Sequence, residues 1–131
     1  MSQEKNTIWS INGLELEMDL DDAETLEKYE KAFTEMDIQE KEFPKDGKTS
    51  EIVRRYCDLY YRLFENLFGK DDADKMVQKK YHMGQWEEVY AFFFKFASLQ
   101  MNAINARRNA IIQPTKNRAA RRSKQKAMKW L

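Results

Sequence analysis

Two short runs of alternating apolar and polar residues, Thr7 to Ile11 and Leu14 to Met18, flank the dipeptide Asn12-Gly13. Both central positions of a type I′ turn need positive φ, which Asn-Gly adopts most readily, so the pattern predicts a β-hairpin with a two-residue loop. Such a loop pairs Ile11 with Leu14, Trp9 with Leu16 and Thr7 with Met18. That register gathers Trp9, Ile11, Leu14, Leu16 and Met18 on one face and leaves Ser10, Glu15 and Glu17 on the other. A lone hairpin is marginal in water, so its apolar face must cover a helix or join a sheet supplied by another subunit.

Beyond residue 20 the spacing lengthens to that of a helix. Asp21-x-x-Glu24 resembles a capping box, and Leu26, Tyr29, Phe33, Met36 and Phe43 recur three, four or seven residues apart until Pro44 ends the helix. The segment PKDGKTS reads as a surface loop in which Thr49 or Ser50 caps helix 2. Helix 2 carries Ile52, Tyr56, Leu59, Leu63 and Leu67 on one side, widened by Val53, Tyr60 and Phe64, and Gly69 closes it. Asp71-Asp72 opens a short helix 3 containing Met76 and Val77 that ends near Gly84. Helix 4 runs from Gln85 to Gln113, bounded by Pro114. The expected fold is mainly α: a small helical bundle over residues 21–113, with an N-terminal β-hairpin (residues 1–20) packed on it and a basic, flexible C-terminal tail (residues 114–131).

The first half of helix 4 is apolar nearly all round, with Trp86, Val89, Tyr90, Phe92, Phe93, Phe94 and Phe96. Consecutive residues on a helix stand about 100° apart, so three adjacent phenylalanines cannot share one face. Helix 4 is therefore either central in the bundle or divided between the bundle and an interface. Burying each Phe contributes roughly 1.5–3 kcal/mol. The same residues read first as ordinary core of a small domain and second as a hydrophobic groove or oligomer seam. Tyr60, Phe64, Trp86, Phe92, Phe93, Phe94 and Phe96 are the candidate apolar contacts for a partner, and the hairpin edge together with this aromatic surplus points to a homo-oligomer.

Charge is segregated along the chain, although the net charge is only +1. Residues 1–46 hold fourteen acids against five lysines, whereas from Asn105 onward there are nine Lys or Arg and no acid; the last acidic residue is Glu88. Such a chain is built to bind something. With 131 residues and 42% hydrophobic content it can bury one modest core, and the mean hydropathy of −0.84 is that of a soluble protein. The longest apolar stretch, Val89 to Leu99, contains Lys95 and is about half the roughly twenty residues needed to cross a bilayer, so no membrane partner is expected. The start, MSQEKNTIW, lacks the apolar core of a secretion signal, and a lone Cys57 suits a reducing cytoplasm.

Groups for chemistry are scarce. One His and one Cys, His82 and Cys57, lie in different expected elements, and no catalytic, metal or cofactor site is expected. Asp19, Asp21 and Asp22 lack the glycine and distal glutamate of a Ca²⁺ loop and read as helix caps. The basic tail has two functional readings beside that of a solvated terminus. Arg107, Arg108, Lys116, Arg118, Arg121, Arg122, Lys124 and Lys126 could contact phosphates as a nucleic-acid-binding accessory protein of a phage or mobile element would. Alternatively, Arg118, Arg121, Arg122, Lys124 and Lys126 could dock on an acidic protein surface. With only Trp130 for base stacking, the composition disfavours nucleic acid.

The order of parts carries a family resemblance. An opening hairpin with INGLELEMDL, an acidic helix with LEKYEKAFTEM, an aromatic helix ending RLFENLFG and a basic terminus with NRAARRS together resemble the tail assembly chaperones of long-tailed bacteriophages and prophages, especially those of Gram-positive hosts. The resemblance implies a non-catalytic, mostly helical protein in the cytoplasm of the bacterial host. It implies binding to the hydrophobic tape-measure protein, which is held soluble until tail-tube subunits polymerise around it. It also implies a longer frameshifted form whose extension recruits tube subunits.

Overall fold

A computed structural model describes residues 6–129, with side chains described through residue 112. The chain order is β1 (Ile8–Ile11), β2 (Leu14–Glu17), α1 (Ala23–Glu42), α2 (Thr49–Phe68), α3 (Lys70–Ala73) and α4 (Met83–Lys129). The structure is mainly helical with an N-terminal two-stranded antiparallel hairpin, as the hydrophobic pattern predicts. It divides into two units, residues 1–100 and residues 101–131.

The hairpin has the expected register: Ile11 opposes Leu14, Trp9 opposes Leu16, and the Met18 N–H donates to the Thr7 carbonyl at 2.7 Å. Asn12 and Gly13 have φ of 47° and 82°, the paired positive values of a I′ turn. The Asn12 Nδ2 donates to the Met76 carbonyl at 2.6 Å, tying the turn to the segment after α3. Trp9, Ile11, Leu16 and Met18 are buried, so of the two ways to cover the apolar face the chain uses its own helices.

Within residues 1–100 the core is an aromatic cluster. The Phe93 ring sits 5.2 Å from Trp9, 5.5 Å from Phe64 and 5.9 Å from Phe68, all edge-on, and 6.3 Å from Phe33 in a stacked arrangement. Phe64 in turn stacks on Trp86 at 5.9 Å. One element from each part of this unit thereby meets at a single ring. Offset and edge-to-face pairs contribute about 0.5–1.5 kcal/mol each beyond the area they bury.

Gln100 locks the hairpin onto α4. Its Oε1 accepts from the Leu20 N–H at 2.8 Å, while its Nε2 donates to the Asn6 and Met18 carbonyls, both at 2.9 Å. Leu20 is fully buried, so this amide oxygen satisfies a backbone donor that water cannot reach.

Several helix ends differ from the sequence expectation. The cap of α1 is Asp22, one residue beyond Asp21: its carboxylate accepts from the Thr25 N–H at 3.0 Å and the Thr25 hydroxyl at 2.9 Å, while Asp19 takes the Asp21 N–H. These acids cap backbone groups, as expected. Neither Thr49 nor Ser50 caps α2; the N-cap is Lys48, with no side-chain bond, and Arg55 reaches back to the Pro44 and Asp46 carbonyls to close the preceding loop. Gly69 ends α2 at φ 93°, as predicted. The third helix stops at Ala73 and does not reach Met76, Val77 or Gly84. In the segment that follows, the Met76 carbonyl accepts from Asn12 Nδ2 and the Lys80 carbonyl accepts from the Trp86 indole, both at 2.6 Å.

The largest departure is at Pro114. The helix expected to end at Gln113 runs on in α4 through Lys129, so residues 114–129 are helical. Proline removes one backbone donor at a cost of about 3 kcal/mol. The residues beyond it are dominated by Ala, Arg, Lys and Gln, all strong helix formers that let the helix resume.

Two substitutions test this arrangement. A Cβ at Gly13 would meet nothing within 4 Å, so Gly13→Val should cost only the backbone penalty of a β-branched residue at positive φ, roughly 1–2 kcal/mol. An unchanged melting temperature would mean that the turn lies elsewhere. Gln100→Ala should destabilise by about 1–3 kcal/mol, because it strands the buried Leu20 N–H. Circular dichroism melts should show a Tm lower by roughly 5–15 °C.

Candidate functional site

The helical rotation of about 100° per residue sorts the three phenylalanines of α4. Phe93 is fully buried, whereas Phe92 and Phe94 are 49% and 55% exposed, on either side of it. Of the other sequence candidates, Phe64, Trp86 and Phe96 are core, so with Phe93 they are corrected from partner contacts to packing residues. They were misplaced because apolar content alone cannot tell the inner stripe of a crowded helix from its flanks. Tyr60 is half-buried and remains accessible.

On the Phe92 side, α4 and β1 enclose an open groove of about 600 Å³, walled by Ile8, Ile11, Phe92, Phe96 and Leu99, with Lys95 at its rim. A second hollow of about 440 Å³ lies beyond Phe92, bordered by the Asn12 turn, Met76 and Gln85. Ile8 and Leu99 are 49% and 60% exposed, and sequence reasoning missed both as surface features. Leu99 was findable: Phe92, Phe96 and Leu99 follow i, i+4, i+7 spacing on one helical stripe.

On the other side, Phe94 lies 6.5 Å from Tyr90, which lies 5.3 Å from Tyr60 and 6.4 Å from Phe33. This forms an aromatic ladder across α4, α2 and α1. Burial pushes the Tyr60 and Tyr90 phenols up; Glu87 and Glu40 add to the effect at Tyr60, and Glu40 does so at Tyr90. The ladder therefore has acidic neighbours, and all the backbone beneath it is helical.

Cys57 and His82 both have structural positions. Cys57 is fully buried, and burial foremost, then Asp58, pushes its thiol up, away from the reactive thiolate. His82 Nδ1 accepts from the Gln85 N–H at 3.0 Å, serving the first turn of α4. Asp74 accepts from Lys70 Nζ at 2.7 Å and from the Tyr61 hydroxyl at 2.6 Å, in that order lowering its carboxyl below the usual range, and this braces the α2–α3 corner. Among the described residues no group of three or more His, Cys, Asp or Glu is placed to hold a metal, and no helix is long and apolar enough to cross a membrane. The side chains of Arg118, Arg121, Arg122, Lys124 and Lys126 lie outside the described ones.

A model of a family of unknown function, DUF6673, matches residues 12–125. The chain belongs to DUF6673. No curated protein and no solved structure matches it. The DUF6673 match takes in the Asn12-Gly13 turn, both exposed phenylalanines and most of α4.

The Cys57 environment has a direct test. In the native protein an aromatic disulfide reagent should leave the thiol unmodified for hours, with stoichiometric reaction only after guanidinium unfolding. Rapid native labelling would show that α2 opens or that the thiol is not buried.

Proposed function

We propose that this DUF6673 protein is a non-catalytic tail assembly chaperone of a phage or prophage, acting in the cytoplasm of the bacterial host to hold tape-measure helices soluble for tail-tube assembly. The observation that carries the reading is the Tyr60–Tyr90–Phe94 ladder. It is a solvent-facing aromatic strip on an all-helical surface, with Glu40 and Glu87 beside its tyrosines. A helix laid there buries its own apolar stripe, leaves no backbone group unsatisfied on either side, and is favoured if Lys or Arg flank that stripe. The resemblance of its order of sequence features to that of tail assembly chaperones supports the same client. The basic half of α4 is assigned to charged protein contacts, with tube subunits as candidates, because it lacks the interleaved aromatics of a nucleic-acid groove.

Phe94→Asp tests the assignment. Exposed substitutions usually change stability by within about 0.5 kcal/mol, so the variant should melt as the wild type does. Its capture of a co-expressed tape-measure helical fragment should fall at least about tenfold, a loss of roughly 1.4 kcal/mol. Absorbance at 260 nm is followed in parallel. Salt-sensitive nucleic acid retention by the full-length chain, without client capture, would overturn the proposal in favour of the nucleic-acid reading.

A further inference from the structure

The groove beside Phe92 differs from the aromatic ladder in one decisive respect: it runs along a strand edge that, among the described residues, no further strand pairs. In the I′ hairpin the hydrogen-bonded pairs are Ile11–Leu14, Trp9–Leu16 and Thr7–Met18, the last seen in the Met18 to Thr7 bond. The N–H and C=O groups of the intervening Ile8 and Ser10 therefore point away from β2, toward the groove. A helix placed over them would leave these groups unpaired; an added strand would pair them.

We infer that the β1 edge and its groove are the contact for a second copy of this chain, pairing β1 antiparallel with its mate about a two-fold axis. With Trp9 opposite the mate's Trp9, Ile8 faces Ser10 in both directions. The four backbone groups of each copy then form four hydrogen bonds across the interface, completing a four-stranded sheet. Phe92 and Leu99 of each α4 lie beneath the junction, where their exposed surfaces are covered.

Charge selects a second copy. From Asn6 to Asn12 there is no ionisable side chain, so β1 meets its mate without repulsion, whereas β2 presents Glu15 and Glu17, which would oppose self-pairing. On the larger scale, residues 1–100 carry a formal charge of −8 and residues 101–131 carry +9, so the chain is complementary to itself.

Sedimentation velocity of the full-length protein from about 1 to 200 μM should show a monomer–dimer equilibrium. Ser10→Pro removes an edge N–H that makes no bond within the hairpin, and Phe92→Lys puts a charge into the groove floor. Each should weaken the dimer at least about tenfold with helical content unchanged. Phe94→Lys, on the opposite face, should leave the dimer intact. Hydrogen exchange of the wild type gives a reading that needs no variant: the Ile8 and Ser10 amides should become protected as concentration rises. A monomer throughout the range, a dimer that Phe94→Lys breaks and Phe92→Lys does not, or Ile8 and Ser10 amides that exchange freely in the dimer would each overturn the inference.

Discussion

Phe93 cannot turn out of the core without dismantling it, and that constraint organises the surface as well as the interior. Its ring is the meeting point of β1 through Trp9, α1 through Phe33 and α2 through Phe64 and Phe68. Once this residue points inward, helix geometry leaves its two neighbours no choice. Phe92 must emerge on the hairpin side and Phe94 on the α1–α2 side, each about 100° away. Two exposed phenylalanines in a chain of this size are thus a consequence of packing a third, and any partner surface is registered to the core by a rigid helix.

The hairpin needs that core as much as it completes it. Two four-residue strands bury too little to persist alone. Trp9 inserts among Phe64, Phe68, Phe93 and Phe96, while the Gln100 amide grips the backbone at both open ends of the hairpin. The apolar anchor fixes depth and the amide fixes lateral position. Together they hold the β1 edge at a set distance from the Phe92–Leu99 stripe.

Legibility from sequence followed how local the cause was. The hairpin register was readable because Asn12-Gly13 dictates its own φ values and the alternation has a period of two. Gly69 was readable for the same reason. The path of the chain after Ala73 was not, since the segment there is fixed by contacts such as that of the Met76 carbonyl with Asn12, 64 residues away. Pro114 misled because a strong local breaker sits within a long run of good helix formers. In α4 the sequence revealed that its apolar residues exceed one face. It could not reveal which of Phe92, Phe93 and Phe94 faces inward, since that depends on the axial rotation imposed by Trp9 and Phe64. The Tyr90–Phe94 spacing of four residues marks a shared face, but only the rings of Tyr60 and Phe33 extend it into a ladder.

The two surfaces left by this rotation are chemically unlike, and the difference lies in the backbone rather than in hydrophobicity. Beneath the ladder every peptide group is already engaged in a helix, so a partner there has only side chains to satisfy, and the nearby carboxylates bias it toward a basic, amphipathic helix. Beside Phe92 the Ile8 and Ser10 backbone groups, unpaired among the described residues, impose a directional requirement that apolar contact cannot meet, since an unsatisfied buried amide costs about 1–3 kcal/mol. A helix client and a strand-pairing copy would therefore not compete for the same face. Self-association through β1, as proposed, would leave the ladder exposed on each copy and would link the helical surfaces offered to one long client.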